Sequence, residues 1–595
     1  MTTTSPFLLP RKSPFGVVEK TLESITGLRT LDKYYRKRPD ELDTDAFLTY
    51  TLDVLGIDYF ASPSDIEHVP ASGTTVVVAN HPLGGVEGVI LAKLLRHVRS
   101  DVKVLANHYL KRIPELSDLF IGVDVFEGEN ARRANMRALR EAHQHLGDGG
   151  LLLVFPAGEV STFDENGLLR DKTWSRSVGA MVRKHKAAAL PVFIGGRNSR
   201  KFYRAGGIHP LLRTALLGRE LLNKRGQSIP ISIGEPIAWK ESRGFESDDS
   251  LVNYLRLNTY LLSREKELTL PLQETAGEAI ALEANGDVLQ AEIDALPTSA
   301  HLLSSGEFDV LCCESTQIPN VLQDIGRIRE VNFRAVGEGT GLACDLDDYD
   351  NDYKHLFIWD RDAKQLVGAY RIGRVDDIIS RRGLDGLYSR SLFQYDERLI
   401  QSMGNALEMG RSVIDVKYQR SLSALLLLWK GIATYVSRDP DITTLFGPVS
   451  ISNDYPLQAR RLLAESLSIH HYDEGMAKLV QPTTPLESAS PVPWHTSMLS
   501  GLGDMQLLSK VIGRMSEGLG VPVLLRQYLG LNGKLVCFNV DPAFNDALDG
   551  LIVVDLRNVP VRTLGRYMGK EEAHRYLAFH ADETALETEE KTAEK

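Results

Sequence analysis

The chain is poor in cysteine: the four in 595 residues, Cys312, Cys313, Cys344 and Cys537, show no metal-ligand spacing and are too few for a disulfide framework. A reducing compartment is expected. Long apolar runs are also missing, since no uninterrupted stretch approaches the roughly 18–20 residues that span a bilayer. The N-terminal MTTTSPFLLPRKSPF has neither a long apolar core nor a small-residue cleavage site, so no spanning helix and no secretory signal are expected. Aromatics make up 7% and do not interleave with basic residues, and no zinc spacing occurs, so nucleic acid is not an expected partner. No repeat of solenoid period is present.

What remains is an ordinary globular composition, 43% hydrophobic and 25% charged, on a chain long enough for two or three cores. The net charge of −11 divides unevenly: residues 1–268 carry about +5 and the remainder about −16. Basic residues gather at Arg29 to Arg38 and at Arg197 to Arg225, where IHPLLRTALLGRELLNKRG sets apolar residues at helical spacing. A basic amphipathic helix suits an anionic membrane surface; a solvated helix face over a core is the alternative.

The most informative stretch is VVVANHPLGGVEG at 76–88. An apolar strand pattern delivers Asn80 and His81 into a Gly-rich turn, and Glu87 follows six positions after His81. A histidine at a strand exit with a carboxylate to orient it can deprotonate a hydroxyl. A second strand pattern, LLLVFPAGEVS at 151–161, breaks at Phe155 and Pro156 into a small polar loop. Two such exits can form one pocket. His108, His143, His145 and His185 lack comparable surroundings and read as surface or core residues.

Together these segments resemble the lysophospholipid/glycerol-phosphate acyltransferase family, with its H-x-x-x-x-D and F-P-E-G-T-R-S blocks, over roughly residues 50–240. The resemblance implies His81 as catalytic base, Glu87 as its partner one residue late, and Asn80, Phe155, Pro156, Gly158 and Ser161 at the substrate. PVFIGG at 191–196 and ISIGEPI at 231–237 look like the family's later strands. Ala157, Glu159 and Val160 stand where the family has Glu, Thr and Arg. The family arginine helps to hold a phosphate, a task suited to a guanidinium fork, so Val160 argues against a phosphate-bearing acceptor.

From about 238 to 300 the strand pattern gives way to Glu-rich, helix-prone sequence, read as a connector and the first helix of a new unit. The boundaries expected are 1–268 for the first domain, 269–284 for the connector and 285–595 for the second. The second half reads as helix, acidic loop, hairpin, strand and long helix, with later strands at VPVLLRQYL, LVCFNV and LIVVDL. Its charged residues run Arg329, then Asp345, Asp347 and Asp350, then Arg371 on an apolar strand, then Glu408 and Arg411.

That order resembles the acyl-homoserine-lactone synthase branch of the GNAT N-acyltransferases, with Asp345 in place of the first acidic Glu. Closer still, over roughly 285–560, is the likeness to hemolysin-like GNAT enzymes that N-acylate ornithine from acyl carrier protein. The GNAT pyrophosphate loop is missing after the strand at 407–416, where YQRSLSA stands; this favours a carrier protein over coenzyme A as donor. DLDDYD lacks the glycine and terminal Glu of a calcium loop.

The two likenesses combined resemble bifunctional bacterial ornithine-lipid synthases. The expectation is an α/β acyltransferase-like domain followed by a GNAT-like α+β domain with a central mixed sheet. The C-terminal half would transfer a 3-hydroxyacyl group to an amino acid, ornithine foremost, with Glu408 as base. Arg411 and Arg371 would hold a carboxylate or fix the acidic cluster, Asp345, Asp347 and Asp350 would attract a cationic amino acid or brace the loop, and Arg329 would stand with them at the substrate. The N-terminal half would esterify the new hydroxyl. Acyl thioesters imply no metal and no redox cofactor. Partners would be acyl carrier protein and membrane lipids, with the protein cytoplasmic and peripheral at the inner face of the membrane. A lysophospholipid O-acyltransferase whose GNAT half only recruits carrier protein, and a non-catalytic membrane scaffold, are the rival readings.

Overall fold

A computed structural model describes residues 5–9, 17–123, 129–208, 210–263, 277–419, 422–487 and 491–593. The connector stretch 264–276 and residues 420–421 of YQRSLSA therefore lie outside the described residues. The chain forms two units, Met1–Lys266 with Val492–Leu502, and Glu267–Pro491 with Gly503–Lys595.

In the first unit seven strands form one sheet: β1 (Asp58–Phe60), β2 (Thr75–Ala79), β3 (Val102–Asn107), β4 (Phe120–Val123), β5 (Leu151–Val154), β6 (Ala188–Ile194) and β7 (Ser228–Ile233), in the order β1-β7-β6-β2-β5-β3-β4. The TVVVA and LLLV runs of β2 and β5 are buried along their whole length, as expected of central strands covered on both faces. They are parallel neighbours, Thr75 opposite Leu151 through Val78 opposite Val154. Parallel neighbours release their following loops at the same edge, which is why two distant motifs meet. Helices α1 (Gly85–Val98), α2 (Pro210–Leu222) and α3 (Asp248–Leu261) complete the part that matters for the site. Most side chains of α3 are buried, so the helical stretch after residue 238 is in part core of the first unit.

The short segment Val492–Leu502 belongs to this unit although it lies far along the chain. Trp494, Met498, Leu499 and Leu502 are buried, Arg170 donates to the Val492 carbonyl, and Asn253 Nδ2 donates to Ser500 Oγ at 3.3 Å. Eleven residues without a periodic pattern carry too little local signal for such an assignment.

The second unit is built on an eight-stranded mixed sheet. Its strands are β8 (His301–Ser305), β9 (Phe308–Glu314), β10 (Lys354–Asp360), β11 (Gln365–Arg374), β12 (Ala406–Ile414), β13 (Thr444–Ile451), β14 (Lys534–Asp541) and β15 (Ala547–Asp555), ordered β8-β9-β10-β11-β12-β13-β15-β14. Helices α4 (Pro319–Ala335), α5 (Leu422–Arg438) and α6 (Val523–Gly530) accompany it. The VPVLLRQYL segment, expected as a strand, is α6: Pro522 stands at its N-cap, and Leu525, Tyr528 and Leu529 share the buried face. The run is short and apolar, and its 3–4 spacing decides for helix once a core is there to bury it.

One feature of this sheet shapes its site. β12 and β13 are parallel and pair only from Ala406–Thr444 to Glu408–Phe446, after which they part. At the parting point a Cβ on Gly447 would lie 2.1 Å from the Met409 carbonyl oxygen, so only glycine fits. On its other edge β12 carries an extra residue, between Gly410 opposite Arg371 and Val413 opposite Ala369, and Arg411 takes φ 50° there. A bulge of this kind re-aims its side chain.

Candidate active sites

In the first unit, Asn80 ends β2 by using its amide as a backbone would: Nδ2 donates to the Ile194 carbonyl at 2.9 Å, and Oδ1 accepts from Ile194 N at 2.6 Å. Both polar atoms are thus committed to β6, and Asn80 positions the turn. The His81 backbone is held from two sides. Its N–H donates to Asp171 Oδ1 at 3.1 Å and its carbonyl accepts from Ser161 N at 2.8 Å. The imidazole packs on Phe155 with ring centres 4.6 Å apart, and its side chain remains 18% exposed, enough for one ring edge to meet substrate.

His81 Nδ1 lies 3.2 Å from Glu87 Oε1. Glu87 is fully buried, and the same oxygen accepts from Leu83 N at 2.6 Å and Gly84 N at 2.8 Å. The carboxylate therefore closes the first turn of α1 and faces the histidine at once. Gly84 makes this turn with φ 106°, and a Cβ there would meet Leu217 Cδ2 of α2 at 2.6 Å. Burial pulls the imidazole pKa down, but the Glu87 charge, with a smaller contribution from Asp171, outweighs it, and the net direction is up.

The second motif supplies the floor. Ser161 is buried and donates Oγ to Asp171 Oδ1 at 2.5 Å, while Trp174 Nε1 donates to Asp171 Oδ2 at 2.9 Å. Burial raises the Asp171 pKa against these hydrogen bonds. Gly158, at φ 67°, closes the turn in which its N–H donates to the Phe155 carbonyl at 3.0 Å, and the Pro156 carbonyl accepts from Ser175 N at 2.9 Å. Val160 is buried beside Gly84, so an apolar wall stands where the resembled family has its arginine. Its neighbour Glu159 pairs with Lys172 at 2.8 Å and with Arg213 of α2. Asp171, Lys172 and Arg213 were not singled out by the sequence, because nothing local marks them.

In the second unit the charged residues interlock. Arg329 Nη1 on α4 donates to Asp350 Oδ1 at 2.8 Å. Arg371 Nη1 on β11 reaches Asp347 Oδ1 at 2.5 Å and Asp350 Oδ1 at 3.4 Å. Arg411 Nε lies 3.2 Å from Asp345 Oδ2, its Nη2 lies 3.5 Å from Asp347 Oδ2, and its Nη1 donates to the Tyr388 hydroxyl at 2.9 Å. Burial of Asp350 raises its pKa, and the guanidinium groups of Arg329 and Arg371 overcome this and leave it lowered. Three arginines thus neutralise three aspartates, so of the two roles open to the acidic loop, bracing is the one its contacts serve.

Glu408 is buried on β12 beside the point where the strands part. Oε1 accepts from Ser389 N at 2.7 Å, and Oε2 accepts from Tyr388 N at 3.1 Å and from the Tyr353 hydroxyl. These three donors tie the 388–391 turn to the sheet.

Residues 28–268 match the family model described as Acyltransferase, and residues 328–430 match Acetyltransferase (GNAT) domain. The chain is 30% identical over 255 residues to a Glycine N(alpha)-acyltransferase of Bacteroides thetaiotaomicron, covering 40% of this chain and 74% of that protein. It is 29% identical over 261 residues to the protein of the same name in Phocaeicola vulgatus, covering 40% of this chain and 78% of that one. It is also 30% identical over 224 residues to a Lyso-glycine lipid O-acyltransferase of Bacteroides thetaiotaomicron, covering 35% and 80%. The protein is an acyl-transferring enzyme. Its first half belongs to the acyltransferase family and its second half to the GNAT acetyltransferase family, in one chain.

Proposed function

We propose that this enzyme makes a diacylated amino-acid lipid in two steps. The GNAT half joins a 3-hydroxyacyl group to the α-amine of an amino acid. The amine nitrogen attacks the thioester carbonyl, the C–N bond forms, the C–S bond breaks, and the proton lost by nitrogen balances the one gained by the departing thiol. The acyltransferase half then esterifies the 3-hydroxyl. His81 takes the hydroxyl proton, the oxygen attacks a second thioester, and the imidazolium, held by Glu87, returns the proton to the sulfur. Binding and proton movement suffice for both steps, with acyl carrier protein as the donor and no metal or redox group required.

The observation that carries this reading is that one chain matches a relative named for the N-acylation of glycine and another named for the O-acylation of a lyso-glycine lipid. Glycine, the amino acid in those names, and ornithine are the acceptors to compare first. The apolar Val160 wall beside the His81 turn supports an acceptor that lacks a phosphate. Among the described residues no helix is long and apolar enough to cross a membrane, and the proposed place of action is the inner membrane face, where a product with two acyl chains would insert. The test is lipid extraction from a host expressing the chain, with mass analysis of new amine-linked lipids. Mono- and diacylated species are expected with the wild type; their absence, with lysophosphatidic acid acylated instead, overturns the proposal.

A further inference from the structure

The loop after α4 contains a buried acid that the scheme above leaves without a role. Gly337 turns the chain at φ 75°, and the backbone N–H of Glu338 donates to the Phe333 carbonyl at 2.7 Å. The rest of the loop is tied to Glu330: Thr340 N donates to its Oε2 at 3.0 Å, Thr340 Oγ1 to the same oxygen at 2.7 Å, and Gly341 N to Oε1 at 3.0 Å. Glu330 is itself fully buried and ion-paired to Arg334 at 2.7 Å. The loop is therefore held by another carboxylate, and the side chain of Glu338 takes no part in its anchoring.

Glu338 is only 8% exposed, and among the described residues its side chain has neither a hydrogen bond nor an ion pair. Its electrostatic surroundings are mostly of its own sign: Asp549 on β15, Asp454 in the loop after β13 and Asp541 at the end of β14, opposed by Arg411 on the β12 bulge. Arg411 is already shared among Asp345, Asp347 and Tyr388. Asp549 is also buried; it lies opposite Ser450 and accepts from that hydroxyl at 2.7 Å. Ser450 belongs to the part of β13 that has left β12. The cluster thus draws on both parted strands, Arg411 from one and Ser450, with Asp549 behind it, from the other.

A buried carboxyl without a partner among three other carboxylates is costly to charge, and such arrangements concentrate where a ligand supplies the missing charge. The ligand chemistry that fits is a cation able to donate hydrogen bonds, and an amino acid's ammonium group is one. We propose that Glu338, with Asp549 behind it, receives the ammonium group of the amino-acid acceptor and takes from it the proton whose loss frees the nitrogen lone pair for attack on the thioester. This deepens the N-acylation assigned above and rests on that reading.

Burial, with the charges of Asp549, Asp454 and Asp541, pushes Glu338 up to about 8, and burial pushes Asp549 up to about 7. A carboxyl at that level is a far better match to an ammonium than an ordinary glutamate, so proton transfer between them is close to balanced. The Glu408 carboxylate, by contrast, accepts from three donors, the Tyr353 hydroxyl and the Tyr388 and Ser389 backbone N–H groups. The proton taken by Glu338 passes to solvent, and the second proton, lost by nitrogen as the C–N bond forms and the C–S bond breaks, balances the one gained by the departing thiol.

The experiment uses the full-length protein, acyl-carrier-protein 3-hydroxyacyl thioester, and glycine and ornithine in turn, with kcat and KM for N-acylation followed from about pH 6 to about pH 9.5. Wild type should gain kcat/KM with rising pH through a limb in the range of the raised carboxyls. Glu338→Gln should lower N-acylation by about 100-fold or more and remove that limb, while O-acylation of a synthetic N-(3-hydroxyacyl) amino acid by the same sample is unchanged. Asp549→Asn should move the limb to lower pH, because a repelling charge is gone. If Glu338→Gln keeps the wild-type limb and rate, or Asp549→Asn leaves the limb in place, the inference is overturned. If wild type N-acylates neither amino acid, the proposed function itself fails.

Discussion

Glu87 Oε1 accepts from the backbone N–H groups of Leu83 and Gly84 and lies 3.2 Å from His81 Nδ1. One carboxylate oxygen thus joins the first turn of a helix to the orientation of a candidate base. The arrangement explains how an acid six positions after the histidine, on α1, reaches the ring.

Replacing His81 by alanine should lower O-acylation by about 10²–10⁴-fold while N-acylation continues, so that a mono-acylated aminolipid accumulates. Quantifying both lipids from cells expressing the variant checks this. Wild-type amounts of diacylated product would remove His81 from the chemistry.

The pH dependence of the O-acyl step follows from the raised imidazole pKa. A general base works in its neutral form, so the rate should rise with pH through a limb lying above the ordinary 6.5. Glu87→Gln keeps an acceptor for Leu83 and Gly84 but removes the charge, and should move that limb to lower pH while reducing the plateau. In stability terms the sign is opposite: charged His81 beside Glu87 contributes fully below the ordinary histidine value, and the contribution is lost as pH rises through the folded one. A limb that stays in place in Glu87→Gln would separate the two residues functionally.

Lysophosphatidic acid should be a poor acceptor compared with an N-(3-hydroxyacyl) amino acid, since buried Val160 offers no fork for a phosphate. Val160→Arg should not improve the aminolipid acceptor. Direct competition of the two acceptors in one assay reads the preference, and a preference for the phosphate lipid would favour phospholipid chemistry for this half.

The Glu338 cluster should also be visible in stability. A carboxyl raised on folding binds its proton more tightly in the native state, so stability falls as pH climbs from the ordinary carboxylate range to the folded value, about 8 for Glu338, and then levels. Glu338→Gln should accordingly raise the Tm at alkaline pH by about 2 °C or more, and much less near pH 5. Equal shifts at the two pH values would mean that the acid is not strained by its charge.

Local patterns were enough to read much of the architecture. The apolar runs 75–79 and 151–154 are buried strands, His81 and Phe155 stand at their exits, and the order Arg329, Asp345, Asp347, Asp350, Arg371, Arg411 already marks the charged core of the second half. These features repeat over a few residues, and hydrophobic periodicity or motif spacing reports them directly. The VPVLLRQYL run shows the limit, because a short apolar stretch suits strand or helix until a neighbouring core selects one face.

The sequence by itself determined which residues can do chemistry: a histidine with an acid in reach, a loop of small residues, and Arg329, Arg371 and Arg411 with Asp345, Asp347 and Asp350. Tertiary structure decided which of them meet. It assigned Asp350 to Arg329, Asp347 to Arg371 and Asp345 to Arg411, brought Asp171 under His81 beside Ser161, gave the oxygens of Glu408 to Tyr388, Ser389 and Tyr353, and left the Glu338 side chain buried with no hydrogen-bond or ion-pair partner among the described residues. The reason is physical: the cost of a charge depends on burial and on the sign of neighbours many residues away. In this chain those neighbours come from strands that part and loops that return, which no local spacing encodes.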